Sequence, residues 1–217
     1  VPISDCAVAM GGIDGVISAV SDWMRAARVE PYDESTGRGV LRHVVLRVSR
    51  GGDLMVLLVA TQDQLPDVSL LVSLLDQMAS GFCALHVSVN ESRTNVILGK
   101  TSRKLHGEDV IFEKLLGLSF EISPLSFFQV NPAQTERLYQ CAIDFAQPGE
   151  GDVAVDAYAG AGTIALCMAR RVSRVIGIEI VPQAVESARR NAVRNGIANA
   201  EFHVAAVEDL LPQLVAG

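Results

Sequence analysis

Apolar residues set the rhythm of this chain, and the rhythm changes once along it. Ile13, Val16, Ile17, Val20, Trp23, Met24 and Ala27 recur at the i, i+3, i+4, i+7 spacing of one helix face. Residues 30–39 carry Pro, Asp, Ser and two Gly and read as a loop. Two β-branched and Leu-rich runs, 40–48 and 54–61, flank Arg50-Gly51-Gly52-Asp53 and predict a hairpin. A second helix is expected over 68–78, stopped near Gly81. Short strands fit 84–90, 95–98, 110–112 and 118–122. Residues 1–122 therefore read as a small α+β module built on an antiparallel sheet.

From Ser123-Pro124 onward the order becomes helix, strand, glycine loop, helix, strand, helix, strand, the alternation of a parallel α/β sheet. Asn131, Pro132 and Gln134 supply an N-cap, a proline at the first helical position and a capping-box partner. Strands are expected over 153–156, 174–179 and 202–205, and a helix over 163–171. Pro182 opens the next helix, which Asn195-Gly196 closes. Three parallel strands in 123–217 are the first half of a doubly wound, Rossmann-like sheet. Both ends of the chain look cut, so the polypeptide reads as a piece of something longer.

Composition narrows the classes. Disorder is excluded by a hydrophobic share of 49%. The longest unbroken apolar run covers residues 54–60, far short of the ~20 a membrane helix needs. Four scattered cysteines, Cys6, Cys83, Cys141 and Cys167, form neither a disulfide framework nor a zinc site and suit a reduced, cytoplasmic setting. The net charge of −7 argues against a nucleic-acid partner on average. Yet residues 38–50 and 93–106 are acid-free and basic, and Arg42, His43, Lys100 and Lys104 are candidate RNA-backbone contacts. The competing reading of those positives is solvated strand edges.

The strongest local signal is Val153-Ala-Val-Asp156-Ala-Tyr158-Ala-Gly160-Ala-Gly162-Thr163, an apolar strand ending in a carboxylate, two glycines and a helix start. Glycine permits close approach of a ligand to the backbone, and the helix start offers unpaired N–H groups. Glu179, ending the next strand, can accept from both hydroxyls of a ribose. Gly160, Gly162 and Ala165 match a dinucleotide fingerprint, which points to a nicotinamide or flavin oxidoreductase. Asp156, four residues ahead of the first glycine, matches the form used for S-adenosylmethionine, where the acid faces a cationic amino acid.

Ser126-Phe-Phe-Gln129-Val-Asn131-Pro-x-Gln134-Thr-Glu136-x-Leu-Tyr139 decides between these classes. Together with Val175-Ile-Gly-Ile-Glu179-Ile-Val-Pro182 and Asn191-Ala-x-x-Asn195-Gly196 it resembles the RNA uracil-C5 methyltransferase family, which makes 5-methyluridine in tRNA and rRNA. Leu41-Arg42-His43 and Thr94-Asn95-Val96-Ile97-Leu98-Gly99 are similar to that family's central domain. The resemblance implies that Gln129 holds the methionine end of S-adenosylmethionine, Tyr158 packs beside the cofactor, Thr163 caps the loop's helix and Glu179 takes the ribose. Asp156, Gly160 and Gly162 complete the expected pocket. After the third strand only backbone groups of Ala206 could serve the adenine.

The family's nucleophilic cysteine and its carboxylate base are expected beyond the third strand, so no catalytic residue is nominated. Cys141 and Cys167 are expected as buried packing on helices, away from any basic residue that would lower their pKa. Cys6 stands where many relatives carry the last ligand of an iron–sulfur cluster; one cysteine cannot hold a cluster, and no metal is assigned. The expected whole protein transfers methyl groups to C5 of a uridine, and this chain alone is expected to be inactive. A different class I methyltransferase, an oxidoreductase fragment and a non-catalytic RNA-binding fragment are the other readings.

Overall fold

The computed structural model describes residues 13–216, and the chain divides into two compact units. Cys6 lies outside the described residues.

Among the described residues the first unit comprises 13–111 with Ser123–Leu125. Helix α1 (Ile13–Ala26) precedes a hairpin of β1 (Leu41–Val48) and β2 (Leu54–Ala60), then α2 (Val68–Met78), β3 (Phe82–Val89) and β4 (Arg103–Gly107). The sheet order is β1-β2-β3-β4. The period-2 alternation of β2 sends Leu54, Val56 and Leu58 into one core with Val16, Val20 and Trp23 of α1 and Leu71 and Leu75 of α2. Trp23 satisfies its indole N–H on the Pro66 carbonyl at 3.0 Å.

Three expectations change here. The sheet is mixed, because β2 and β3 pair in parallel, with α2 as the crossover a parallel pair requires. Residues 95–98 are not a strand. Asn90 instead organises that loop, donating from Nδ2 to the carbonyls of Val96 (2.7 Å) and Ile97 (2.9 Å). The strand that follows, β4, was hidden by its polar sequence, Arg103-Lys-Leu-His-Gly107, because an edge strand needs little apolar content.

Among the described residues the second unit comprises Phe112–Ile122 with 126–216. Strands β5 (Ile111–Leu115) and β6 (Leu118–Ile122) pair through the two-residue turn Leu116-Gly117, both at positive φ (48° and 76°). Then come α3 (Pro132–Ala146), β7 (Val153–Asp156), α4 (Thr163–Met168), β8 (Arg174–Glu179), α5 (Pro182–Arg194), β9 (Ala200–Val204) and α6 (Val207–Ala216). Strands β7, β8 and β9 form a parallel sheet in that order. The expected N-cap is present: Asn131 Oδ1 accepts from the Gln134 N–H at 3.1 Å, with Pro132 opening α3.

The expected boundary after residue 122 and the observed division differ over 112–122. The β6 backbone is pinned by α5: Asn195 accepts from the Ser119 N–H and donates to its carbonyl, both at 2.8 Å. Asn191 accepts from the Glu121 N–H at 2.9 Å. The Glu121 carboxylate, 4% exposed, pairs with Arg190 at 2.6 Å. The turn is held from both sides, since Leu116 donates to Glu136 and accepts from Arg170.

Candidate cofactor site

Parallel strands bring their carboxyl ends to one side of the sheet, where α/β folds bind ligands. Asp156 ends β7 and Glu179 ends the neighbouring β8. Between β7 and α4 the chain makes the glycine loop. Ala159 donates to the Ile178 carbonyl (3.0 Å), and Gly162 donates to the Ala159 carbonyl (2.7 Å). Glu179 closes the loop against β8: Oε2 accepts from the Gly160 N–H at 3.0 Å and Oε1 from the Val181 N–H at 2.9 Å.

The two glycines are required for different reasons. Gly160 has φ 53°, and a Cβ placed on it meets nothing within 4 Å, so it faces open space. Gly162 has φ 79°, and its Cβ would stand 2.9 Å from the Phe202 ring and 3.0 Å from Ala188 Cβ. One glycine leaves the loop's outer surface bare, and the other lets the loop seat on the sheet and α5.

Asp156 lies near the backbone N–H groups of Tyr158 and Ala165, which favour its charged form, while its Oδ2 is enclosed with no hydrogen-bond partner. Burial pushes its carboxyl above the ordinary value, the two backbone donors oppose that, and nearby Glu179 adds to it. An orphaned buried acceptor beside a bare glycine loop fits a ligand carrying a donor or positive group. Tyr158 stands 80% exposed on the same loop. Ala206 follows β9, whose end meets β8 through the Ala205 N–H to the Glu179 carbonyl (3.2 Å); its own carbonyl accepts from Asp209 and Leu210 at the start of α6. Gln129 is exposed ahead of α3.

The role expected for Thr163 changes. The N-cap of α4 is Gly162, which has no capping side chain, and Thr163 Oγ1 bonds Tyr139 Oη at 2.7 Å. Helix α4 ends at Met168, three residues earlier than expected. Two supporting residues, Tyr139 and Asn191, went unassigned in the sequence. The signal for Asn191 was there: it interrupts the apolar face Val185, Ala188, Ala192 and is fully buried, so it must have partners. It donates to the Ala161 carbonyl at 3.0 Å.

Of the two helix cysteines expected to be buried, one is not. Cys141 is exposed on α3, whereas Cys167 is buried on α4. Arg170 does act on Cys167, favouring the thiolate, but burial outweighs it and pushes the thiol up to about 11.

In the first unit Arg42 is no surface contact. Its side chain is 1% exposed, donates to the carbonyls of Asn90 (2.9 Å) and Ser92 (2.6 Å), and stacks 4.5 Å over Tyr32. Glu34 takes its other terminal nitrogen at 3.3 Å. A guanidinium that is enclosed and anchors two loop carbonyls is not offered to a phosphate at the surface, and its Nε is buried without a partner. His43 is half-buried on β1, and Lys100 and Lys104 are exposed, the latter paired with Asp109 at 2.9 Å.

Fold and loop together define a Rossmann-like half-sheet of the methyltransferase type, and residues 148–216 match the family model described as a methyltransferase domain. Along nearly its whole length the chain is homologous to proteins named RNA methyltransferases. An uncharacterized RNA methyltransferase of Oceanobacillus iheyensis is 38% identical over 209 residues, 96% of this chain and 46% of that protein. One of Clostridium tetani is 37% identical over 216 residues, 99% of this chain and 47% of that protein. The crystal structure of Pyrococcus abyssi tRNA (uracil-54, C5)-methyltransferase in complex with S-adenosyl-L-homocysteine superposes with a TM-score of 0.79 at 29% identity, covering 95% of this chain and 50% of that one. The chain thus spans about half the length of the relatives it matches. Among the described residues no helix is long and apolar enough to cross a membrane.

Proposed function

We propose that this chain is the S-adenosylmethionine-binding part of an RNA uracil-C5 methyltransferase. The observation that carries the cofactor class is Asp156, whose enclosed Oδ2 lacks a protein donor at the foot of a glycine loop. The cofactor's amino acid end offers such a donor as an ammonium group. Glu179, already holding Gly160 and Val181, keeps further lone pairs for ribose hydroxyls. Tyr158 offers an exposed ring, Gln129 an amide for the methionine end, Thr163 a hydroxyl at the mouth of α4, and Ala206 backbone groups for the adenine. S-Adenosylmethionine, when bound, supplies a methyl group activated by its sulfonium. The uracil-C5 assignment is supported by the Phe-Gln-Val-Asn element and by the likeness to the Pyrococcus protein. The nucleophilic cysteine and proton-removing base of the whole enzyme belong, on this reading, to polypeptide outside residues 1–217. His43, Lys100 and Lys104 are the proposed RNA contacts, with tRNA or rRNA as the partner.

Calorimetry tests the cofactor class. S-adenosylmethionine and S-adenosylhomocysteine should bind and NAD should not; tighter NAD binding would overturn the proposal. For RNA, Lys100→Ala with Lys104→Ala should lower the salt slope by about one for each phosphate no longer neutralised. An unchanged slope would remove that part.

A further inference from the structure

We infer that Asn191 is a positioning residue that holds the glycine loop by tying it to β6, an inference that rests on reading this loop as the cofactor site. Its side chain uses both ends. Oδ1 accepts from the Glu121 N–H at 2.9 Å, and Nδ2 donates to the Ala161 carbonyl at 3.0 Å. Ala161 lies between Gly160, which faces open space, and Gly162, which packs on Phe202 and Ala188. The one peptide that must stay rigid between a ligand-facing and a packed glycine is therefore fixed by an amide from α5.

Asn191 on α5 and Asn195, the residue that caps that helix, are four residues apart, and Glu121 and Ser119 are two apart on β6. The two asparagines occupy the β6 backbone much as a neighbouring strand would. They differ in one respect: Asn195 returns its amide to the Ser119 carbonyl and to Asn191 of its own helix, whereas Asn191 passes its amide on to the loop. Only Asn191 transmits order from hairpin to loop, and Asn195 is the matched control. Linkage then makes the effect reciprocal, so a ligand that orders the loop also protects the Glu121 amide.

The test compares Asn191→Asp, Asn191→Ser and Asn195→Ala with the parent chain, by S-adenosylhomocysteine titration and by amide hydrogen exchange without ligand. Asn191→Asp keeps the acceptor for Glu121 but sets a carboxylate oxygen against the Ala161 carbonyl. Affinity should fall at least tenfold and exchange across 160–163 should rise at least tenfold, while 118–120 stays within twofold. Asn195→Ala should do the reverse, loosening 118–120 and leaving affinity within twofold. Parent-like loop exchange in Asn191→Asp, or equal loss of affinity in both variants, would overturn the inference. Should the parent bind no S-adenosylhomocysteine, the cofactor reading fails, and loop exchange alone then decides the role of Asn191. Should Asn191→Asp not fold, Asn191→Ser, whose short side chain gives up both bonds, should still raise exchange across 160–163 and weaken affinity with 118–120 within twofold, and parent-like loop exchange there would overturn the inference. Saturating the parent with S-adenosylhomocysteine must also slow Glu121 exchange, and an unchanged rate there would equally overturn the coupling.

Discussion

Replacing each loop glycine by alanine separates a requirement of the fold from a requirement of the ligand. Both positions have positive φ, which costs an alanine roughly 1–2 kcal/mol. For Gly160→Ala the cost stops there, because nothing lies within 4 Å of the new methyl. For Gly162→Ala the methyl also presses on the Phe202 ring and Ala188 Cβ at 2.9 and 3.0 Å, and both neighbours are buried with little room to yield. Overpacking of that kind adds roughly 1–3 kcal/mol, for a total of about 2–5 kcal/mol. With a urea m-value of about 2 kcal/mol/M, Gly162→Ala should lower the midpoint by about 1–2.5 M and Gly160→Ala by about 0.5–1 M. Urea-dependent pulsed hydrogen exchange, read on peptides from 153–204, reports this unit separately from Trp23 in the other. Gly160→Ala, while folded, should nonetheless lose at least tenfold in S-adenosylhomocysteine affinity. Equal midpoint losses in the two variants, or full affinity in Gly160→Ala, would refute the division of roles.

Three further outcomes follow from the same geometry. Burial raises the folded-state pKa of Asp156, so the unfolded chain gives up this proton first and stability falls as pH rises through the carboxylate range. Asp156→Asn should therefore stabilise the ligand-free protein at neutral pH and not at pH below that range, while weakening S-adenosylmethionine binding; thermal melts at several pH values check the sign. Arg42→Ala should destabilise the first unit by roughly 2–4 kcal/mol, since it leaves two loop carbonyls and Tyr32 without their partner, and urea melts followed by Trp23 fluorescence measure it. Iodoacetamide at pH 8 should label exposed Cys141 well before Cys167, whose thiol is buried and stays protonated to about 11; peptide mass spectrometry reads the order.

Much of the site was written within short stretches of chain. Asp156, Gly160, Gly162 and Glu179 could be placed from strand runs, glycine spacing and the next strand's end, because a strand–loop–helix turn is built from residues adjacent in sequence. The helix from Pro132, the three parallel strands and the hairpin of β1 and β2 were legible for the same reason. Roles that depend on distant partners were not. Thr163 was expected as a cap but bonds Tyr139, 24 positions away. Arg42 looked like an RNA contact because its run is basic, yet its partners lie 48 and 50 residues on and enclose it.

The sequence by itself determined where the chain turns, which residues line the turn and which strands run apolar, since these follow from backbone freedom and side-chain periodicity. Tertiary structure alone decided that β2 and β3 run parallel, that residues 112–122 group with the second unit, and that Asn191 joins Glu121 to Ala161. The two bonds made by Asn191 span 70 and 30 positions, and such pairings answer to packing and to the need to satisfy buried polar groups, which no local pattern encodes.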